Sequence, residues 1–252
     1  MGSLGAAIDS NHRRPRFLCL HGFRTSGAIM RSQVVGKWPE EVISRLDLVF
    51  PDAPFPAEGK SDVEGIFPPP YYEWFQFDKD FLEYRNLDKC FAYIEDLMIE
   101  HGPFDGLMGF SQVNLQIQFD PLFLEYGAIL SAVLVGLQAR GLALTRVPKV
   151  KHLIIIGGAK FQSPAVAEKA YAAAVDCTSL HFLGDMDFLK KHGEALLESF
   201  INPYVIRHPK GHTVPRLDDK SLETMRDFLQ KIENDLHREA PCNDKHEEVH
   251  LS

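Results

Sequence analysis

A serine, an aspartate and a histidine follow three separate short apolar runs, in that order along the chain. They are Ser111, Asp187 and His212. A serine hydroxyl is a weak nucleophile, so it needs a histidine base within hydrogen-bond reach and a carboxylate that fixes the tautomer of that histidine. If the runs are parallel strands, their carboxyl ends meet at one edge of a sheet, where ligands bind. The spacing therefore predicts acyl transfer through a serine nucleophile.

Backbone N–H groups are predicted to bind the negative charge that develops on the substrate oxygen. The turn His21, Gly22, Phe23 follows the first apolar run, and it offers the N–H of Phe23. The residue after the nucleophile, Gln112, offers a second N–H. Donors that are in place before the reaction begins stabilise an oxyanion without further reorganisation.

Neighbouring residues of the same types leave alternatives open. Asp185 competes with Asp187, which is also placed to cap the following helix. His208 competes with His212, although its position directly before a proline suits packing. His21 is expected to shape its turn rather than to transfer protons.

An aromatic group follows a stretch rich in proline and glycine at residues 51–70. This composition predicts a long loop without regular structure, and long loops frequently bind ligands. Tyr71, Tyr72, Trp74 and Phe75 either line an apolar acyl pocket or pack the loop against the core. The sequence favours neither.

Short apolar runs alternate with amphipathic stretches, and these elements must position the chemical groups. Strands are predicted at residues 17–20, 48–50, 105–110, 151–156, 179–183 and 204–206; helices are predicted at 27–46 (interrupted by Pro39), 88–101, 128–139, 165–174, 190–200 and 221–236. This pattern is typical of an α/β fold with a mainly parallel sheet and helices on both faces. We predict one domain at residues 16–236, with disordered tails at 1–15 and 237–252.

Several motifs taken together resemble the FSH family of serine hydrolases. They are FLCLHGFRTSG at residues 17–27, FPD at 50–52, FDGLMGFSQ at 104–112, IIIGGA at 154–159, GDMD at 184–187 and GHTVP at 211–215. The resemblance covers about residues 16–229. It implies an α/β-hydrolase fold, hydrolysis of carboxylic esters, and a catalytic triad of Ser111, Asp187 and His212.

One departure from the family pattern lies at the nucleophile. The family's turn around the serine reads Gly-x-Ser-x-Gly, whereas here Gly109 and Ser111 are followed by Val113. A helix led by glycine begins only at Gly127, and removing residues 113–126 restores the family's pattern. We interpret residues 113–126 as an insertion in the nucleophile turn.

The insertion has its own pattern and two open outcomes. Residues 113–119 alternate as in a strand, and Asp120 followed by Pro121 is typical of a helix start. A helix that began at Asp120 instead of Gly127 would move the helix N-terminus by about 10 Å and impair the oxyanion site. Alternatively, the insertion loops out and leaves Ser111 and Gln112 in place.

The predicted function is hydrolysis of carboxylic esters through an acyl-serine intermediate, impaired or not by the insertion. The expected substrate is a small apolar ester. The alternative is a catalytically silent protein of the same fold that binds ligands or partner proteins. Neither a metal-ligand pattern nor a nucleotide-binding motif occurs in the sequence, so no metal and no cofactor is expected.

Composition limits the classes of binding partner and the cellular compartment that we expect for the protein. The 252 residues are 45% hydrophobic and 25% charged with a net charge of −8, and the lysines and arginines are not clustered. Binding to nucleic acid or to an anionic membrane surface is therefore not expected, and no apolar run is long enough to span a bilayer. The 4 cysteines lack the spacing of zinc sites and disulfide frameworks. This predicts reduced thiols in the cytoplasm, with the nucleus as an alternative, and leaves the oligomeric state open.

Overall fold

The structure, a computed structural model, describes residues 13–77, 84–110, 127–161 and 163–239. Its strands are β1 (Arg16–Leu20), β2 (Asp47–Val49), β3 (Phe55–Pro56), β4 (Tyr72–Glu73), β5 (Gln76–Phe77), β6 (Tyr84–Arg85), β7 (Gly106–Phe110), β8 (His152–Ile156), β9 (Thr178–Gly184) and β10 (Tyr204–His208). Its helices are α1 (Gly27–Val35), α2 (Glu40–Ile43), α3 (Leu87–His101), α4 (Gly127–Gln138), α5 (Pro164–Ala170), α6 (Lys190–Leu197) and α7 (Asp219–Glu239).

A 6-stranded parallel sheet runs through the molecule in the order β10-β9-β8-β7-β1-β2. The predicted fold class is confirmed: the sheet is parallel and helices cover both of its faces. The chain builds outward from β1 to β2 and then returns to place β7 on the other side of β1. Ligands of such sheets bind beyond the carboxyl ends of the strands at this reversal. The loops after β1 and β7 are therefore the first place to look for a site.

Alternate side chains of the buried strands divide the core into two apolar layers. Leu18 and Leu20 of β1 pack in the layer beneath α3 and α4. Phe17 and Cys19 pack in the opposite layer, beneath α1 and α7. Because both faces are covered, the strands read as continuous apolar runs, which is why the sequence located them.

Several predicted boundaries shift because of backbone hydrogen bonds between segments distant in sequence. Helices α5 and α6 end earlier than predicted because Val175 donates its N–H to the carbonyl of Ser199 at 2.7 Å. This bond draws both segments out of helical geometry. The expectation that residues 51–70 lack regular structure is wrong, since β3 pairs with β4 and Ala57 N–H donates to the carbonyl of Tyr71 at 3.0 Å.

Tertiary contacts also involve residues just outside the predicted domain at 16–236. Arg13, placed by the sequence in a disordered tail, forms a two-pronged hydrogen bond with Asp105 at 2.6 and 2.7 Å. Helix α7 continues to Glu239, which pairs with Lys151 at 2.6 Å. In the part of the chain that the structure describes, no helix has the length and apolar character of a membrane span.

Two buried histidines in the sheet are held in the neutral state. His181 and His152 are each 1% exposed. Burial lowers the pKa of His181 from 6.5 to about 3. Burial also lowers the pKa of His152 to about 4, and the surrounding carboxylates, Asp235 first, oppose that shift only in part.

We expect the protein to lose stability as the pH falls below about 6.5. Below this pH the histidines of the unfolded chain become protonated, whereas those of the folded protein stay neutral until the pH approaches their lowered pKa values. Each histidine therefore lowers the free energy of unfolding by about 2 kcal/mol between pH 7 and pH 5. Urea unfolding at both pH values should show that His181→Gln reduces this loss by about that amount. His101→Gln, at an exposed side chain, is the control, and an equal effect of the two variants would contradict the explanation.

Candidate active site

The structure brings two of the predicted residues together at the carboxyl edge of the sheet. His212 lies in the loop after β10 and Asp187 lies in the loop after β9, and these strands are parallel neighbours. His212 Nδ1 and Asp187 Oδ2 are hydrogen-bonded at 2.9 Å. The two side chains are only 5% and 4% exposed. A buried carboxylate on Nδ1 fixes the tautomer that leaves Nε2 free to accept a proton.

Asp187 also binds the turn that follows it. Its other oxygen, Oδ1, accepts a hydrogen bond from the N–H of Leu189 at 2.9 Å. Helix α6 begins only at Lys190 and has no side-chain cap, so the capping alternative for Asp187 is wrong. Burial raises the pKa of Asp187, but the hydrogen bond and charge of His212 and the Leu189 N–H outweigh burial and hold the pKa below its ordinary value. The carboxylate is thus ionised over the whole neutral pH range.

The rival residues are placed differently. Asp185 is exposed and pairs with Lys190 at 2.9 Å rather than with a histidine. His208 is buried, and its Nδ1 has no hydrogen-bond partner among the described residues. Among these candidates, the hydrogen-bonded pair in the structure is Asp187 and His212.

The imidazole of His212 lies between aromatic rings and a glycine. Its ring stacks on Phe110 with centroids 5.8 Å apart and contacts Phe188 at 5.3 Å. Gly157, with φ +62°, faces the ring so closely that a Cβ there would lie 2.6 Å from Cε1 of His212. Nε2 is buried without a hydrogen-bond partner in the described ranges.

The first residue of α4 lies directly against the ends of two strands. A Cβ on Gly127 would lie 2.2 Å from the carbonyl oxygen of Leu20 and 2.5 Å from that of Phe110. A Cβ on Gly109 would lie 2.2 Å from the carbonyl oxygen of Gly127. Gly109 and Gly127 are thus in the mutual contact expected of the two glycines in a Gly-x-Ser-x-Gly turn, although residues 113–126 separate them in sequence. Such a close crossing of strand and helix excludes any side chain at either position.

The predicted nucleophile and its neighbour are not among the described residues. Ser111, Gln112 and the insertion at 113–126 all fall in the range 111–126, outside the part of the chain that the structure describes. The predictions made for them, including the helix start at Pro121, remain predictions.

The turn between β1 and α1, residues 21–26, carries the predicted oxyanion donor Phe23. His21 Nε2 accepts a hydrogen bond from the N–H of Ala53 at 3.0 Å, and Nδ1 lies 2.9 Å from the carbonyl of Gly22. Burial lowers the pKa of His21 to about 4, against smaller opposing effects of Gly22 and Asp52. A neutral ring with both nitrogens engaged shapes the turn, in line with the expectation from the sequence.

Two of the four aromatic residues after position 70 pack the loop against the core rather than lining a pocket. Trp74 and Phe75 are 0% and 1% exposed and belong to the core. The indole N–H of Trp74 donates to the carbonyl of His21 at 2.9 Å. The packing alternative is therefore the correct one for these two side chains.

Sequence reasoning missed four residues around His212. Lys37, at the end of α1, donates from Nζ to Thr213 Oγ1 at 2.9 Å and to the carbonyl of Val214 at 2.8 Å, fixing the loop that carries the histidine. Phe110, Phe188 and Gly157 shape the histidine's surroundings. A signal existed for the two phenylalanines, because each is adjacent in sequence to a predicted catalytic residue. Nothing in the sequence pointed to Lys37.

The sheet order, the His–Asp pair beyond its carboxyl edge and the glycine contact at the start of α4 define an α/β hydrolase. A crystal structure of maize (Zea mays) acyl-protein thioesterase 2 is similar in fold, with a TM-score of 0.57 and 18% identity over 89% of this chain and 96% of that chain. Residues 10–224 match the family model for FSH1 serine hydrolases. The chain belongs to this family and is a serine hydrolase.

Two proteins named as esterases are similar to this chain over most of its length. The chain is 28% identical to Esterase AGAP003155 of Anopheles gambiae over 86% of this chain and 79% of that protein. It is 29% identical to human Esterase OVCA2 over 81% of this chain and 91% of that protein.

We expect Gly127→Ala to destabilise the protein by about 3 kcal/mol, because the new methyl group would meet three backbone carbonyls that cannot move independently. Gly141→Ala is the matched control: its φ is +66°, but nothing lies within 4 Å of its Cβ position. That substitution carries only the backbone strain of about 1–2 kcal/mol. Equal shifts of the urea midpoint in the two variants would contradict the proposed close contact.

Proposed function

We propose that this serine hydrolase cleaves carboxylic esters through an acyl-serine intermediate. Ser111 attacks the ester carbonyl while His212 accepts its proton and Asp187 orients the imidazole. The N–H groups of Phe23 and Gln112 bind the oxyanion. His212 then protonates the departing alkoxide, activates a water molecule, and the acid is released.

The observation that carries this proposal is the buried His212–Asp187 pair. Its hydrogen bond is 2.9 Å long, and its free nitrogen, Nε2, is buried without a partner among the described residues. The ring lies on Phe110, and Ser111 is the next residue in the chain. A base at this position needs a nucleophile of this kind within reach.

The contact between Gly109 and Gly127 favours catalysis over the silent alternative. It supports the proposal that the strand and helix on either side of the nucleophile keep the geometry of an uninterrupted Gly-x-Ser-x-Gly turn. The α4 N-terminus then stays near the end of β7, where its partial positive charge favours the developing oxyanion. We propose that the insertion loops out from this crossing.

Apolar residues beside the pair support a small apolar ester as the substrate. Met186 and Phe188 flank Asp187 and are 78% and 48% exposed. The named relatives are esterases.

The net charge of −8 argues against nucleic acid as a partner. We place the protein in the cytoplasm, with the nucleus as an alternative, and the buried free thiols of Cys19, Cys90 and Cys177 fit a reducing compartment.

We expect the full chain to hydrolyse p-nitrophenyl esters and to react with a fluorophosphonate probe, and Ser111→Ala to lose both activities. A third version lacking residues 113–126 tests the insertion, and melting curves establish that all versions fold. Activity only in the shortened version would contradict catalysis by this chain and support the silent alternative. Labelling that persists in Ser111→Ala would exclude Ser111 as the nucleophile.

We expect Asp187→Asn to lower kcat about a thousandfold or more, because an amide can stabilise the wrong histidine tautomer and cannot offset its positive charge. Asp185→Asn is the matched control, since that carboxylate is exposed and pairs with Lys190; its kcat should stay within about twofold of the parent. Steady-state kinetics on one ester distinguishes them. Comparable losses in both variants would assign no special role to Asp187.

A further inference from the structure

The β1–α1 turn is fastened from one side by the loop at residues 50–77. The N–H of Tyr72 donates to the carbonyl of Thr25 at 2.7 Å. Ser61 Oγ donates to the carbonyl of Arg24 at 2.6 Å. Trp74 adds its indole hydrogen bond to His21. The position of the turn therefore depends on the loop packed over it.

Arg24 has an unusual backbone conformation within this turn. Its φ is +49°, in the left-handed region that residues other than glycine rarely adopt. The conformation is strained for a residue that has a Cβ, and it persists only where surrounding contacts hold it. Arg24 follows Phe23 directly, and Thr25 is bonded to β4 on its other side. A relaxation of Arg24 would therefore move Phe23.

A buried carboxylate faces the Arg24 side chain. Glu73 is 2% exposed, and its Oε1 accepts hydrogen bonds from Arg24 Nε at 2.7 Å and from the N–H of Glu58 at 3.2 Å. The guanidinium also donates to the carbonyl of Lys60 at 3.2 Å and lies over the ring of Phe23 at 4.5 Å. A buried charge is tolerated only where it is paired and hydrogen-bonded. Arg24 therefore cannot leave this position without exposing or stranding Glu73.

We propose that Glu73 and Arg24 are positioning residues for the oxyanion site. Their ion pair holds the left-handed turn at Arg24 and thereby sets where the N–H of Phe23 points. The inference rests on the proposed function, because it concerns the N–H assigned to the oxyanion there. The proposed mechanism assigns neither side chain a contact with the reacting atoms.

The first test replaces the buried carboxylate by its amide. We expect Glu73→Gln to lower kcat/KM about tenfold or more, mainly through kcat, since a displaced donor weakens transition-state binding more than substrate binding. The Ki of a trifluoromethyl ketone should rise by a similar factor, because this inhibitor places an oxyanion in the same site. Glu58→Gln is the control: Glu58 lies in the same loop, but its side chain forms an exposed pair with Arg85 of β6, and its loss should leave both constants within about twofold.

A second pair of variants separates the backbone from the charge. Arg24→Ala and Arg24→Gly both remove the ion pair, but glycine adopts positive φ without strain. We expect Arg24→Gly to retain several times more kcat than Arg24→Ala. Equal activities would overturn the role assigned to the left-handed conformation. Unchanged kcat and Ki in Glu73→Gln would overturn the role of the pair.

Hydrogen exchange tests the role of the Glu73–Arg24 pair without depending on catalytic activity. We expect Glu73→Gln to accelerate amide exchange in residues 21–26 about tenfold or more, while β8 and β9 stay as protected as in the parent chain. If the parent chain neither hydrolyses esters nor reacts with the fluorophosphonate, the proposed function fails. Accelerated exchange would then still support the positioning pair, and unchanged exchange would overturn it.

Discussion

The close crossing of β1, β7 and α4 is the constraint on which the rest of the site depends. Gly109 and Gly127 leave no room for a side chain between strand and helix. The carboxyl ends of both strands and the N-terminus of the helix therefore meet at one point of the sheet. The β1–α1 turn begins at this point. Phe110, on which His212 stacks, is the last residue of β7 and lies at the same point.

Around this point three groups of the proposed mechanism, Phe23, Asp187 and His212, lie in loops that are held by contacts from other elements. Asp187 binds His212 and its own following turn. Lys37, which follows α1, binds the two residues after His212. Glu73 binds the turn that carries Phe23 through Arg24. In the proposed mechanism, loops held in this way keep the N–H of Phe23 and the imidazole of His212 in place before substrate arrives, which is the arrangement that acyl transfer requires.

Periodicity and apolar runs predicted the central strands and the large helices well, because both are properties of consecutive residues. The predicted ends of elements were wrong where backbone groups far apart in sequence form hydrogen bonds. The Val175–Ser199 bond shortens two helices, and the β3–β4 pairing orders part of a loop rich in proline. The aromatic residues after position 70 could not be divided between pocket and core from sequence, since burial of Trp74 depends on its bond to the β1–α1 turn.

The sequence by itself determined the α/β class, the order Ser, Asp, His and the family, because these depend on residue types and on spacing along the chain. Only the tertiary structure decided that Asp187 pairs with His212 while Asp185 pairs with Lys190, since a pairing depends on which side chains meet across neighbouring loops. It also brought Gly127 into contact with Gly109, although residues 110–126 lie between them in sequence. Lys37 and Glu73 became visible only in three dimensions, because each acts on a loop far from it in sequence.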